Sequence, residues 1–433
     1  MIYAIINARI YDFVNYIENG YVIFENNIIE VGKMTEYKDE GYIEINAKHS
    51  IVMPGLINGH SHIYSTFARG LSLNFNPTNF VEILEQLWWK IDRNLDNEMN
   101  YYQGLVSGVD YVLNGVTTLI DHHAYKPSNT NALNCLKEAV VEDVKIRSIF
   151  CLETSDRFDV DKCIKENLEF INETSTTFSR GLFGMHAAFT LSEETLTKIS
   201  KVIKDNPIHI HVAESIMDQE DSLKKYNERV VNRLDRHKLL NKNSIITHAL
   251  YIDEEEAKLI KKNKCVVALN VTSNMNNSVG LPNYQLLKKH NIKTIIGNDG
   301  ISMSMASEYQ SLYYAMHHFD KTPTLFTFED LLKIIRDTYS YTKEILDIKI
   351  GRIKKDYVAD LLIVPYNNPT PINENNIFGH LFFGLFSSFK PKHVFVNGNQ
   401  IVNDYQVNKE LRHKYKYAIN SAQKLWDKIE KEG

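Results

Sequence analysis

One rhythm constrains this chain more than any other feature. Beyond residue 50, short β-rich runs recur at 51–56, 116–120, 144–150, 181–185, 208–212, 244–247, 265–270 and 293–296, each followed by a longer helical or loop stretch. Amphipathic segments at 192–204 and 253–262 supply helices between them. Such repeated strand–helix alternation predicts an α/β fold, a (β/α)8 TIM barrel. A doubly wound sheet would need a glycine-rich phosphate turn after its first strand. Here that position reads His60-Ser61-His62.

The chain's 433 residues exceed one ordinary core, so a second, smaller domain is expected. Residues 21–24 and 28–32 flank Glu25-Asn26-Asn27, a hairpin signal. After Gly351 strand character returns at 360–364, and 393–396 and 400–402 flank the favourable turn Asn397-Gly398. The expected organisation is a composite β-sandwich domain from residues 1–52 plus 353–405, around a barrel spanning 53–352. A final helix within 406–433 presents one apolar face through Leu411, Tyr415, Ala418, Ala422, Leu425 and Ile429, the pattern of a helix packed on the body.

Bulk properties exclude several classes. The net charge is −5 with signs mixed and no dense basic patch, which argues against a nucleic-acid partner. The first residues turn polar too soon for a signal peptide, and no apolar stretch is long enough to span a bilayer, so no membrane partner is expected. Cys135, Cys151, Cys163 and Cys265 are dispersed without a CxxC pair, which favours a reducing compartment and a cytoplasmic location.

In a barrel of this kind functional residues gather where strands end. Those ends carry His60 and His62, then Asp121-His122-His123, His186, His211 with Glu214 beyond it, His248, Ser273-Asn274 and Asn298-Asp299. Single strand-end histidines are ordinary, but a full rim of ionisable residues is not. His60, His62, His211 and Asp299 can supply three imidazoles and a carboxylate to a divalent metal that also holds water. His209 is expected on the opposite face, packed against the helix layer. Glu214 is placed to exchange protons beside the metal.

The same residues resemble a known family. Pro54-Gly55-Leu56-Ile57-Asn58-Gly59-His60-Ser61-His62 is similar to the PG[LF]xxxHxH signature of the amidohydrolase superfamily. His209 to Glu214 resembles the HxHxxE strand of its aminohydrolase branch, the ATZ/TRZ (aminohydrolase/chlorohydrolase) group. Thr247-His248-Ala249, Asn298-Asp299-Gly300 and Ala359-Asp360-Leu361 resemble later landmarks of that group. Leu87-Trp88-Trp89-Lys90-Ile91-Asp92-Arg93, Glu153-Thr154-Ser155-Asp156-Arg157 and Ser273-Asn274-Met275-Asn276-Asn277 resemble its SsnA-type members. The resemblance implies one divalent metal ion, zinc or alternatively iron, held by His60, His62, His211 and Asp299. It implies Glu214 as proton shuttle, His248 as partner of the attacking oxygen, and Asp299 as both ligand and proton acceptor. A homodimer is expected from the resemblance alone. The binuclear branch's bridging lysine is missing from Met185-His186-Ala187-Ala188-Phe189-Thr190. Asn298, Asn270-Val271-Thr272 and the segment 354–358 depart from the group's habits, none at a proposed ligand.

The implied reaction is attack of metal-bound hydroxide on an amidine-like carbon of a purine-like or related nitrogen heterocycle, with loss of ammonia. The alternative is hydrolysis of a cyclic amide or of a non-amine leaving group. A non-catalytic scaffold is disfavoured because no ligand position is lost. For the small-molecule partner the pocket candidates are His186, Arg157, His122, Tyr64 and Trp88. His186 is expected to donate to a ring carbonyl. Arg157 is expected either to clamp an anionic or carbonyl oxygen or to pair with a neighbouring Asp. One of Trp88 and Trp89 is expected to stack on the ring.

Overall fold

Alternating apolar residues at the two ends of the chain are buried in one mixed sheet. The computed structural model describes residues 1–126 and 131–432. Strands β1 (Tyr3–Tyr11), β2 (Tyr16–Phe24), β3 (Ile28–Lys33), β4 (Ile43–Asn46) and β5 (Ile51–Pro54) come from the N-terminal side. The middle of the chain supplies β6 (Leu56–Ser61), β7 (Val116–His123), β8 (Arg147–Leu152), β9 (Ser179–Gly181), β10 (Phe183–Ala187), β11 (Ile208–Val212), β12 (Ile245–His248), β13 (Val266–Leu269) and β14 (Lys293–Ile296). Strands β15 (Leu361–Val364), β16 (His393–Val396) and β17 (Asn399–Val402) follow near the C-terminus.

The terminal strands run in the order β17-β16-β15-β5-β1-β2-β3, with β4 beside β1. Ile5, Val22, Phe24, Val52, Leu361, Ile363 and Phe395 form its core. The β16–β17 turn places both Asn397 (φ 50°) and Gly398 (φ 75°) in the left-handed region that a two-residue hairpin demands. A Cβ on Gly398 would lie 1.7 Å from the Glu25 carbonyl oxygen, so only glycine fits there.

The run 51–56, expected as one barrel strand, is two. Residues Ile51 to Pro54 pair antiparallel with β15 inside the terminal sheet, and Leu56 begins the next layer. The terminal sheet therefore reaches past the expected boundary at 52. Met53 is apolar on both counts, so hydrophobicity alone could not show which sheet claims it.

The middle strands form two parallel sheets, β6-β7-β8-β9 and β10-β11-β12-β13-β14. Their edges meet at two seams. At one, Thr154 bridges Met185; at the other, Ser61 bridges Asp299. The backbone N–H of Asn298 donates to His60 O at 3.1 Å across the second seam. A Cβ on Gly297 would lie 2.5 Å from the His60 backbone, so this close approach needs glycine.

The helices form where the chain supplies caps. Ser192 caps Glu193–Val202, and Asp253 closes a reciprocal capping box with Glu256 on Glu254–Lys262. The C-terminal helix Lys409–Lys431 buries Leu411, Ala418, Leu425 and Ile429. Its Tyr415 hydroxyl donates to Asp110 on the helix Asn97–Leu113 at 3.0 Å, and Trp426 Nε1 donates to Phe67 O at 2.7 Å. Among the described residues no helix is long and apolar enough to cross a membrane.

Candidate metal centre and substrate cavity

Strand ends bring the ionisable residues to one point. Strand β6 carries His60 and is followed directly by His62, β11 carries His209 and His211, and Asp299 follows β14. One donor atom from each of His60, His62, His211 and Asp299 lies within 4.8 Å of the others, and all four residues are buried. Asp299 Oδ1 is 2.8 Å from His62 Nε2 and 3.4 Å from His60 Nε2. His209 corrects an expectation. Residues two apart on a strand share a face, so His209 points inward with His211. It is fully buried, with its Nε2 2.8 Å from His60 Nδ1 and its Nδ1 3.6 Å from Cys151 Sγ.

The hydrogen bonds around the cluster show why a cation suits it. Carbonyl oxygens only accept. His62 Nδ1, 2.6 Å from His122 O, and His211 Nδ1, 2.9 Å from His186 O, must therefore both carry protons. As neutral rings they turn bare Nε2 lone pairs toward each other at 3.1 Å. Two lone pairs cannot hydrogen-bond, whereas a shared cation satisfies both. Burial pushes His60 and His211 down to about 3, into the neutral form a metal needs. Burial acts on His62 in the same sense, but the Asp299 carboxylate outweighs it and lifts that ring to about 9. Proton and cation thus compete for the space between His62 and Asp299. Three imidazoles and one carboxylate suit zinc or iron.

Acid–base groups adjoin this cluster. His248 Nε2 is 3.4 Å from Glu214 Oε2 and 3.9 Å from Asp299 Oδ2. Asn274 donates from Nδ2 to His248 Nδ1 at 2.9 Å, which leaves the ring's proton on Nε2, facing both carboxylates. Burial holds that ring neutral, down at about 3. Burial, reinforced by the Asp299 charge, pushes Glu214 up to about 8. Burial also opposes the charge on Asp299, but His62 and His60 hold it well below the usual carboxylate range. Ser273 Oγ donates to Asp299 Oδ2 at 2.5 Å, and Asn277 Nδ2 donates to Glu214 Oε1 at 3.4 Å. Ala213 (φ 47°), His248 (φ 70°) and Asp299 (φ 57°) all hold left-handed backbone. That conformation costs roughly 1–2 kcal/mol in a non-glycine residue, and here it falls where strands hand over to the site.

A cavity opens above the cluster. Of the expected substrate residues, Tyr64, Trp88 and His186 line it, and Arg157 and His122 do not. Arg157 bridges Asp92 and Glu153 and lies over the Trp89 ring at 4.4 Å. The expected alternative, pairing with an Asp, is the observed one. His122 is buried behind the cluster, with Nε2 donating to Met185 O at 2.9 Å. Trp88 reaches the cavity and packs edge-on against Tyr64, while Trp89 faces the Arg157 guanidinium. His186 differs from expectation. The Thr190 hydroxyl gives its only proton to Ala187 O at 2.9 Å, so it accepts from His186 Nδ1 at 2.9 Å. Burial holds His186 well below its usual range, so the neutral ring's Nε2 is an acceptor and not a donor.

The cavity also includes residues that sequence reasoning left unassigned, among them Phe80, Glu153, Phe189, Asp218 and Asn277. Their local patterns hold no ligand spacing. Ser273 and Asn274, expected at a strand end, sit instead on the helix Val271–Asn276 directly after β13.

Comparison with known proteins agrees with this geometry. The sequence matches the amidohydrolase family over residues 51–401. It is 24% identical over 414 residues to a 5′-deoxyadenosine deaminase of Methanocaldococcus jannaschii, covering 91% of this chain and 93% of that one. The fold superposes on a zinc-bound adenosine deaminase from Xanthomonas campestris with a TM-score of 0.85 at 18% identity, covering 99% of this chain and 98% of that one. It superposes on a zinc-complexed atrazine chlorohydrolase from Arthrobacter aurescens with a TM-score of 0.81 at 18% identity, covering 98% and 100%. The chain belongs to the amidohydrolase family.

Proposed function

We propose that this protein is a metal-dependent aminohydrolase that releases ammonia from an amidine-like carbon of a nitrogen heterocycle. One observation carries the reading: the Nε2 atoms of His62 and His211 and the Asp299 carboxylate converge at 2.8–3.1 Å directly beside the Glu214–His248 pair. His60, His62, His211 and Asp299 would hold a single divalent ion, zinc in preference to iron. When bound, such an ion supplies a water acidified to near neutral pH. Glu214, its carboxyl lifted to about 8 by burial, would take up a proton at the site and return it to the departing amine. His248 donates from Nε2 to the oxygen as negative charge develops, and Asp299 stays ionised. Tyr64 and Trp88 supply the walls for a flat ring.

Related readings belong with this one. We take the two parallel sheets, joined at both seams, as one closed (β/α)8 barrel, and the terminal sheet as part of the β-sandwich that clasps it. The segment 87–93, with its paired tryptophans and Asp92, supports the SsnA-type assignment within the group. Four free cysteines fit a cytoplasmic protein. The exposed Tyr314, Phe319, Leu325 and Phe383 offer an apolar surface for a homodimer.

The test is ammonia release by Glu214→Gln protein of measured metal content. The reading predicts a fall of about 10²–10⁴-fold with metal content unchanged. Undiminished turnover would remove Glu214 from the chemistry. Product analysis separates ammonia from another leaving group.

A further inference from the structure

Glu153 is buried at the cavity wall just past β8. Its Oε1 accepts from Arg157 at 3.2 Å, and the same guanidinium bridges to Asp92. Asp92 is itself buried, so one cation serves two buried carboxylates. Trp89 and Phe158 cover the guanidinium at 4.4 and 4.6 Å from their ring centroids, which fixes it in place. Arg157 therefore cannot turn to the substrate without stranding both acids. Across the cavity wall, His186 keeps its proton on Nδ1 for Thr190 and retains an acceptor nitrogen. The acidic side chains lining the cavity are Glu153, Glu214, Asp218 and Asp299, and no Lys or Arg lines it among the described residues. Burial, opposed by Arg157 and aided by Asp92, lifts Glu153 to about 7.

The geometry points to Glu153, held by Arg157 and assisted by His186, as the residue that selects substrate: it accepts a hydrogen bond from an N–H or O–H of an uncharged heterocycle and excludes phosphate-bearing ligands. This rests on the aminohydrolase reading for the reaction itself. The donor is a ring N–H of a free base or a hydroxyl of a nucleoside. Either satisfies an acceptor that would otherwise be buried unpaired. A phosphate would bring its charge among four acidic side chains with no Lys or Arg to pair with it.

The experiment uses metal-loaded protein with adenine, its ring-N-methylated analogues, adenosine and adenosine 5′-monophosphate, then the corresponding guanine series. Ammonia release and calorimetric binding are both read, for wild type and Glu153→Gln. The proposal expects the 5′-monophosphates to be bound and turned over at least about tenfold worse than their phosphate-free counterparts. It expects methylation of the donor nitrogen, or loss of the hydroxyl, to weaken wild type by at least about tenfold, a readout that needs no variant to fold. Glu153→Gln should lose a similar factor on donor-bearing ligands and little on methylated ones. Turnover indifferent to Glu153→Gln and to methylation, or nucleotides accepted equally, overturns this proposal and leaves deamination standing. Selective, Glu153-dependent binding without ammonia keeps it and overturns deamination. Neither binding nor release by any compound overturns both.

Discussion

His209 shows how much a single buried side chain can control. It hydrogen-bonds His60 Nδ1 from behind and so sets which nitrogen of His60 faces the candidate ligand cluster. Partners of this kind typically tune metal affinity by 10- to 100-fold. His209→Leu is accordingly expected to weaken zinc binding by about that factor, measured by competition with a chromophoric chelator, with the fold retained by circular dichroism. Equal affinity would mean that His60 needs no orientation. The sequence made His60, His62, His211, Glu214, His248 and Asp299 readable because their spacing repeats a motif. Glu153, Asp218 and Asn277 were not readable as site residues, because their local partners Arg157, Ala213 and Ser273 form no ligand spacing. For Arg157 the pairing with an Asp was one of two readings, but which Asp was not legible: Asp92, 65 residues earlier, decides where its guanidinium goes.

The short helix Val271–Asn276 carries Ser273 and Asn274 into the site, and Glu308 holds its first turn. Thr272 donates to Glu308 from its backbone N at 3.2 Å and from its hydroxyl at 2.6 Å. Burial nonetheless outweighs these donors and lifts Glu308 to about 7. A carboxyl raised in the folded state binds more protons folded than unfolded. Its favourable contribution is therefore complete below the unfolded value near 4.5 and is lost as pH rises through about 7. Glu308→Gln removes this dependence. Its Tm relative to wild type is expected to rise between pH 5 and pH 8, by an amount equivalent to roughly 2–3 kcal/mol at most. A constant offset across that range would show that Glu308 does not titrate there. At this level the strands were legible from apolar runs and the helices from amphipathic stretches such as 192–204 and 253–262. The split of 51–56 between two sheets was not, since both sheets bury the same kind of residue.

The terminal sheet and the parallel sheets are tied by a buried ion pair. Arg147 at the start of β8 meets Asp360, just before β15, at 3.1 Å, and Asn397 N also donates to Asp360 at 2.7 Å. Breaking a buried pair by removing one partner strands the other charge and typically costs 3–5 kcal/mol. Arg147→Met or Asp360→Leu alone is expected to destabilise by about that much in denaturant unfolding, and the double variant by clearly less than the sum. Strict additivity would show that the two layers are held by apolar contact alone. The central claim concerns the whole assembly of strand ends, and it is tested most directly by stripping the protein of metal and titrating zinc, or separately iron, back against ammonia release from a panel of purines, pterins, pyrimidines and triazines. The account predicts no release from the stripped protein and a rise that saturates at one ion per chain. Silence towards every compound at full occupancy, or release that ignores metal removal, would contradict it.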